Sequence, residues 1–250
     1  MTSLESDFLG ATETHSPDEI RNALAGGLDP RNPIDGRTPV QWMLEMYYRS
    51  DLFPECLRIL LDAGGTLEDP VLASVLLNDV EGLRRALAAD PALILHRTNL
   101  VSTFTPLIGV TLLHVAAEYG NLAVARELIT AGADVNARAD VDAFGLNGHT
   151  PLFHTVNSNA NRSEPLMRLL LESGARVDIT LQGITWGRGF EWETTVFDVT
   201  PISYAQLGLL PQFQRTEKDI DHNLRLLLKA AGRPVPPLTN IPNRYLHPRK

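Results

Sequence analysis

Five carboxylates, on Asp140, Asp142, Glu191, Glu193 and Asp198, stand in two of the segments that separate helical patterns along this 250-residue chain. Two carboxylates whose pKa values are driven apart by their surroundings can share the work of general acid and general base. Spacing alone gives these five no mutual geometry, and acids in connecting segments are ordinarily solvated. The seven histidines (His15, His96, His114, His149, His154, His222 and His247) contain no i,i+3 or i,i+4 pair. His149 and His154 straddle a loop-to-helix boundary, a poor geometry for sharing a metal. Cys56 is the single cysteine, which excludes a disulfide framework or a thiolate cluster within the chain. It lies in "PECLRILLDAG", with Leu57, Leu60 and Leu61 around it, and is predicted to be a small buried hydrophobe rather than a nucleophile. G-x-S-x-G, H-E-x-x-H, Walker and dinucleotide glycine motifs are missing. The expectation is a protein that is not an enzyme, with no catalytic residues, no metal and no cofactor.

The elements that carry these residues must come from a globular chain: 44% of residues are hydrophobic and 21% are charged. Net charge is -8, with no Lys/Arg cluster. Unspecific nucleic-acid binding depends on neutralising phosphates, and an anionic membrane surface also attracts basic segments, so neither partner is expected. The start, "MTSLESDFLGATETHSPDE", lacks the basic and apolar regions of a secretory signal. No apolar run approaches a membrane span. A soluble, cytoplasmic protein is expected.

A repeat organises the chain. Residues 111–140 read "TLLHVAAEYGN", "LAVARELITAG" and "ADVNARAD". The first two parts have helical spacing, with Val115, Ala116 and Ala117 in one and Val124, Leu128 and Ile129 in the other. Gly120 and Gly132 close them, as glycines do at helix ends. The pattern returns as "GHTPLFHTV" with "LMRLLLESGARVD", as "DGRTPVQWML" with "CLRILLDAGG", and as "VTPISYAQLG" with "NLRLLLKAAG". A weaker copy spans 69–93, and 16–30 reads as a lone second helix. Thr before Pro suits a helix start, because Thr can cap orphan amides and Pro needs no N–H there.

These motifs resemble the ankyrin repeat family, from about residue 18 to 232. "TLLHVAA" with "GADVNA" matches the family's T-P-L-H and G-A-D-V-N signature nearly in full. The resemblance implies an all-α fold, an ankyrin-repeat α-solenoid of helix-turn-helix repeats with long β-hairpin fingers. The expected organisation is a flexible N-terminus at 1–15 and a half-repeat at 16–34. Repeats follow at about 35–68, 69–110, 111–149, 150–199 and 200–232, then a Pro-rich tail at 233–250. His114 is expected to hydrogen-bond between repeats.

Repeat starts at Thr38, Asp69, Thr111, Thr150 and Thr200 leave most repeats longer than the usual ~33 residues. Polar extensions at 45–55, 157–164 and 209–221 separate paired helices and read as surface insertions. Segments 96–110, 137–149 and 179–199 fall where the family places its fingers. Strand chemistry is plainest in the last, with β-branched and aromatic residues on either side of "GRG". There Phe190 and Trp192 are expected to pack with Phe144, Phe104 and Leu146. Non-catalytic protein binding is what the family implies, through fingers and inner helices. On this chain that surface would involve Phe104, Phe144, His149, Trp186, Arg188, Glu191 and Glu193. The acids suit a protein partner with a basic surface, held by a monomer. Fingers folded over the groove would instead enclose a pocket for a small molecule or substrate. Edge-to-edge assembly is a third possibility. The tail, with Tyr245 and Leu246, is expected to lie across the last repeat.

Overall fold

The computed structural model describes residues 2–101, 107–187, 191, 193–206 and 215–235. It divides into two compact units, Met1–Ala133 with Thr185–Thr194, and Asp134–Ile184 with Thr195–Lys250. The first is built of paired helices, and the second holds one helix pair and a 3-10 turn followed by a helix.

In the first unit the pairs are α1 (Ser3–Thr14) and α2 (Pro17–Ala25), α3 (Pro39–Glu45) and α4 (Phe53–Asp62), α5 (Ala73–Leu76) and α6 (Val80–Ala89), and, after strands β1 (Arg97–Leu100) and β2 (Leu107–Thr111), α7 (Leu112–Tyr119) and α8 (Leu122–Thr130). First helices stack on first helices and second on second: α1 on α3, α5 on α7, α2 on α4 and α6 on α8. This is how units that cannot bury their own apolar faces form a core.

Within the segment 1–15, expected to be flexible, Ser3–Thr14 form a helix. Thr2 and Glu5 form a reciprocal capping box, and Phe8 and Ala11 are fully buried. That sparse stripe is enough to dock α1, so the expected half-repeat at 16–34 is the second member of a full pair. The weak copy at 69–93 also forms a pair, its first helix reduced to α5 behind a 3-10 turn at Pro70–Leu72.

The Thr-Pro starts at Thr38 and Thr200 cap as expected, whereas Thr150 makes no side-chain cap bond. Thr38 Oγ1 accepts from Gln41 N at 3.2 Å, and Gln41 Oε1 accepts from Thr38 N at 2.7 Å. His114 Nδ1 accepts from Thr111 N at 3.2 Å and lies 2.8 Å from Thr111 Oγ1, so this fully buried imidazole caps its own helix. Gly120 and Gly132 take positive φ, 71° and 96°.

Residues 45–55 are not a surface insertion. Arg49 pairs with Glu118 at 2.9 Å, both side chains 12% exposed, and its guanidinium lies 4.5 Å from the Tyr119 ring centroid. Arg49 also donates to the carbonyl of Met46. Tyr119 Oη donates to Leu44 O at 2.9 Å, and Phe53 stacks at 4.7 Å from Tyr119. Because α5 is so short, this segment reaches past it to α7.

In the second unit a 3-10 turn (Pro151–His154) takes the place expected of a first helix and precedes α9 (Glu164–Glu172). Strands β3 (Leu181–Trp186) and β4 (Thr194–Val199), which belong to this unit apart from Thr185, Trp186 and Thr194, follow and pair with each other. The last pair is α10 (Pro201–Tyr204) and α11 (Glu217–Ala230). Residues 157–164 turn inward here too. Asn161 Nδ2 donates to Asp219 O at 2.7 Å, and Asn223 Nδ2 donates to Asn161 Oδ1 at 3.0 Å. Arg215 donates to Ala205 O at 2.9 Å and Val156 O at 3.2 Å. Burial lowers the Arg215 pKa to about 10. Against β3, Asn147 N donates to Gly183 O at 2.7 Å. A Cβ on Gly183 would fall 2.9 Å from Leu146 Cδ2 and 3.1 Å from Val196 O, so the turn can approach only a glycine there.

Candidate functional site

A cavity of about 470 Å³ opens in the first unit, between α3, the 66–69 loop, Leu72 and the β1–β2 pair. Its α3 wall is Val40, Gln41, Leu44 and Glu45, residues one turn apart that share a helix face. Leu72 and Leu107 are buried behind it, whereas Val101 and Ile108, which also line it, are 62% and 37% exposed. The cavity therefore runs out into open apolar surface.

Gln41, Glu45, Glu68, Asp69 and Asn99 of the lining are each held by a local device. The capping box on Thr38 orients Gln41, whose Nε2 donates to Glu68 at 2.5 Å. Arg37 pairs with Glu45 at 2.8 Å. Asp69 Oδ1 caps the 3-10 turn by accepting from Val71 N at 3.1 Å, and Oδ2 lies 2.6 Å from His96 Nε2. β1 and β2 are antiparallel, with Arg97 opposite Thr111 and an irregularity between Thr98 and Leu100. Asn99 Oδ1 fills it by accepting from Gly109 N at 2.7 Å.

The two flanking carboxylates are tuned in opposite directions. Burial raises the Glu45 pKa, Arg37 opposes this, and Glu68 adds to it. Burial also acts to raise Asp69, but hydrogen bonds from His96 and Thr98, the His96 charge and the Val71 amide outweigh it and hold the carboxyl below its ordinary value. Acids on one side and aliphatic walls on the other can receive a group that is both apolar and cationic.

The described partner-binding candidates singled out in the sequence do not line the cavity. Phe144 is 78% exposed at a turn of the second unit. His149, in the same unit, is fully buried and meets His154 edge-on at 4.6 Å. Trp186 is 6% exposed. Neither His149 nor Trp186 offers surface to a partner in this structure, because their apolar bodies are taken up by packing. Glu191 and Glu193 are exposed. Phe104, Arg188, Phe190, Trp192, Tyr245 and Leu246 lie outside the described residues. Asp142, a candidate acid, accepts from Phe144 N at 2.9 Å and Leu146 N at 3.0 Å, which makes it a turn former. Cys56 is buried, and burial pushes its thiol up to about 12, far from a reactive thiolate. Among the described residues no group of three or more His, Cys, Asp or Glu is placed to hold a metal ion, and no helix is long and apolar enough to cross a membrane.

The cavity escaped sequence reading because its lining comes from three separated segments. The one available signal was the acidic "LEDP" at 67–70 beside a lengthened 96–110 segment.

The family model described as ankyrin repeats (3 copies) matches residues 10–181. The chain is similar to the Escherichia coli (strain K12) protein named ankyrin repeat protein YahD, at 30% identity over 186 residues, 71% of this chain and 84% of that protein. Ankyrin repeats are generally protein–protein interaction modules, and the stacked helix pairs are the architecture they imply. With the capped starts at Thr38 and Thr200, the paired helices and these two matches in agreement, the chain belongs to the ankyrin repeat family.

Proposed function

We propose that this protein is a non-catalytic protein-binding module that docks its partner over the cavity between α3 and the β1–β2 pair. The observation that carries the reading is the continuity of an apolar cavity with exposed Val101 and Ile108. Contiguous apolar surface left bare on a folded chain marks interaction sites. The β1–β2 pair acts as a finger in this reading, and exposed Phe144, Glu191 and Glu193 are secondary contact candidates in their own units. Affinity capture from source-cell lysate tests it, with wild type compared to a Val101→Asp, Ile108→Asp variant. A protein retained by wild type and lost by the variant, at unchanged melting temperature, is the expected result. Identical capture by both would remove the site.

The cavity's size favours a second reading, since pockets for small molecules span roughly 300–1,000 Å³ and are mostly apolar. A metabolite-library thermal shift that raises Tm in wild type but not in Leu44→Trp, which fills the cavity, would support it.

A further inference from the structure

We propose that the cavity accepts a partner segment in which apolar side chains stand beside a lysine or arginine. The proposal rests on the protein-binding reading above and specifies its chemistry. Val40, Leu44, Leu72, Leu100 and Leu107 make the walls aliphatic, so the inserted group must be apolar. Glu45, Glu68 and Asp69 also line the space. Glu45 pairs with the Arg37 guanidinium and Asp69 with the His96 imidazole. Glu68 is held by the neutral amide of Gln41. Three carboxylates outnumber these two basic groups, so an incoming ammonium or guanidinium meets net negative charge. An acidic segment would add like charge beside these carboxylates, two of which, Glu45 and Asp69, are partly removed from water, and that is costly.

Two further features agree. Burial outweighs Arg37 at Glu45 and raises its pKa, and a further cation beside it would favour the ionised carboxylate. Val101 and Ile108 stay exposed at the mouth, and a free small amine within the cavity would leave them bare. A peptide covers them with the residues flanking its anchor. An apolar core inside a polar rim is the usual anatomy of such contacts.

The test is selection of a random-peptide phage library on the full chain, with counter-selection on the Val101→Asp, Ile108→Asp variant. An enriched peptide is then synthesised and its Kd measured by fluorescence anisotropy. Enriched sequences are expected to place Lys or Arg next to Leu, Ile or Phe. Glu45→Gln with Glu68→Gln, which keeps side-chain size and the Gln41 contact, is expected to weaken binding by about tenfold or more. Raised salt should weaken it further. Enrichment of acidic or uncharged peptides that still need Val101 and Ile108 would overturn this proposal and leave the protein-binding reading standing. The same holds if the Gln variant binds the enriched peptide as well as wild type does. Failure to enrich any peptide over the counter-selected variant would remove both.

Discussion

Asp69 shows how much one side chain can hold. It caps a turn through Val71 N, meets His96 at 2.6 Å and is bonded by Thr98, tying the loop that floors the cavity to β1. Its folded pKa lies below the ordinary 3.8, so the unfolded chain takes up the proton first as pH falls. The stability it contributes is complete above the ordinary carboxylate range and drains as pH drops below about 4. Glu45 has the opposite sign, because its raised folded pKa favours the folded state as pH falls through it. We expect Asp69→Asn to flatten the acid limb of a Tm-against-pH profile and Glu45→Gln to steepen it; calorimetry from neutral pH to about pH 3 reads both. The Arg49–Glu118 pair is a second residue-scale case. Glu118→Ala leaves a buried guanidinium without its carboxylate and should cost about 3–5 kcal/mol in urea unfolding. Arg49→Met with Glu118→Leu should recover most of that loss, since two apolar groups replace two desolvated charges.

Elements differ in how much of them is written in local sequence. Helices with a Thr-Pro start were legible because cap, φ preset and apolar spacing sit within a few residues of one another; α3 and α4 follow directly from "TPVQWML" and "CLRILLD". What was not legible depends on distant partners. α1 has few apolar residues, and only docking of Phe8 and Ala11 explains its order. Residues 45–55 read as polar, but Glu118 and Tyr119, far along the chain, draw Arg49 inward. The cavity is illegible for the same reason, since no single segment contains it. The α1 finding predicts that Phe8→Ala costs about 3–5 kcal/mol, where a flexible terminus would show no change in the urea midpoint. The capping box on α3 supports a different outcome. Thr38→Ala should cost only about 1 kcal/mol, yet it frees Gln41 and with it Glu68. Anisotropy with the enriched basic peptide should therefore show a larger loss of affinity than that stability change suggests.

At the scale of the molecule, a stack of repeats is as strong as its interfaces, because each pair leans mainly on its neighbours, with segment 45–55 here also reaching α7. In the first unit the weak member is the α5–α6 pair. α5 is four residues long, and Leu83 is the buried residue of α6. Polar staples from α8 offset this shortage of apolar contact. Asn121 Nδ2 donates to Val75 O at 2.8 Å and Leu76 O at 3.2 Å, and Val124 N donates to Asn78 Oδ1 at 3.2 Å. Arg84 reaches Glu127 at 2.8 Å. Asn121 is 5% exposed and does not line the cavity, but the pair it holds sits between Leu72 and β1, both cavity walls. Asn121→Ala should cost about 1–3 kcal/mol, and the loss should surface locally. In hydrogen-exchange mass spectrometry, amides at 73–89 should open earlier than those of α7, with peptide affinity at the cavity falling in step. If exchange instead rose uniformly through the first unit, the α5–α6 pair would not be the weak link and the staples would have no special part in keeping the cavity intact.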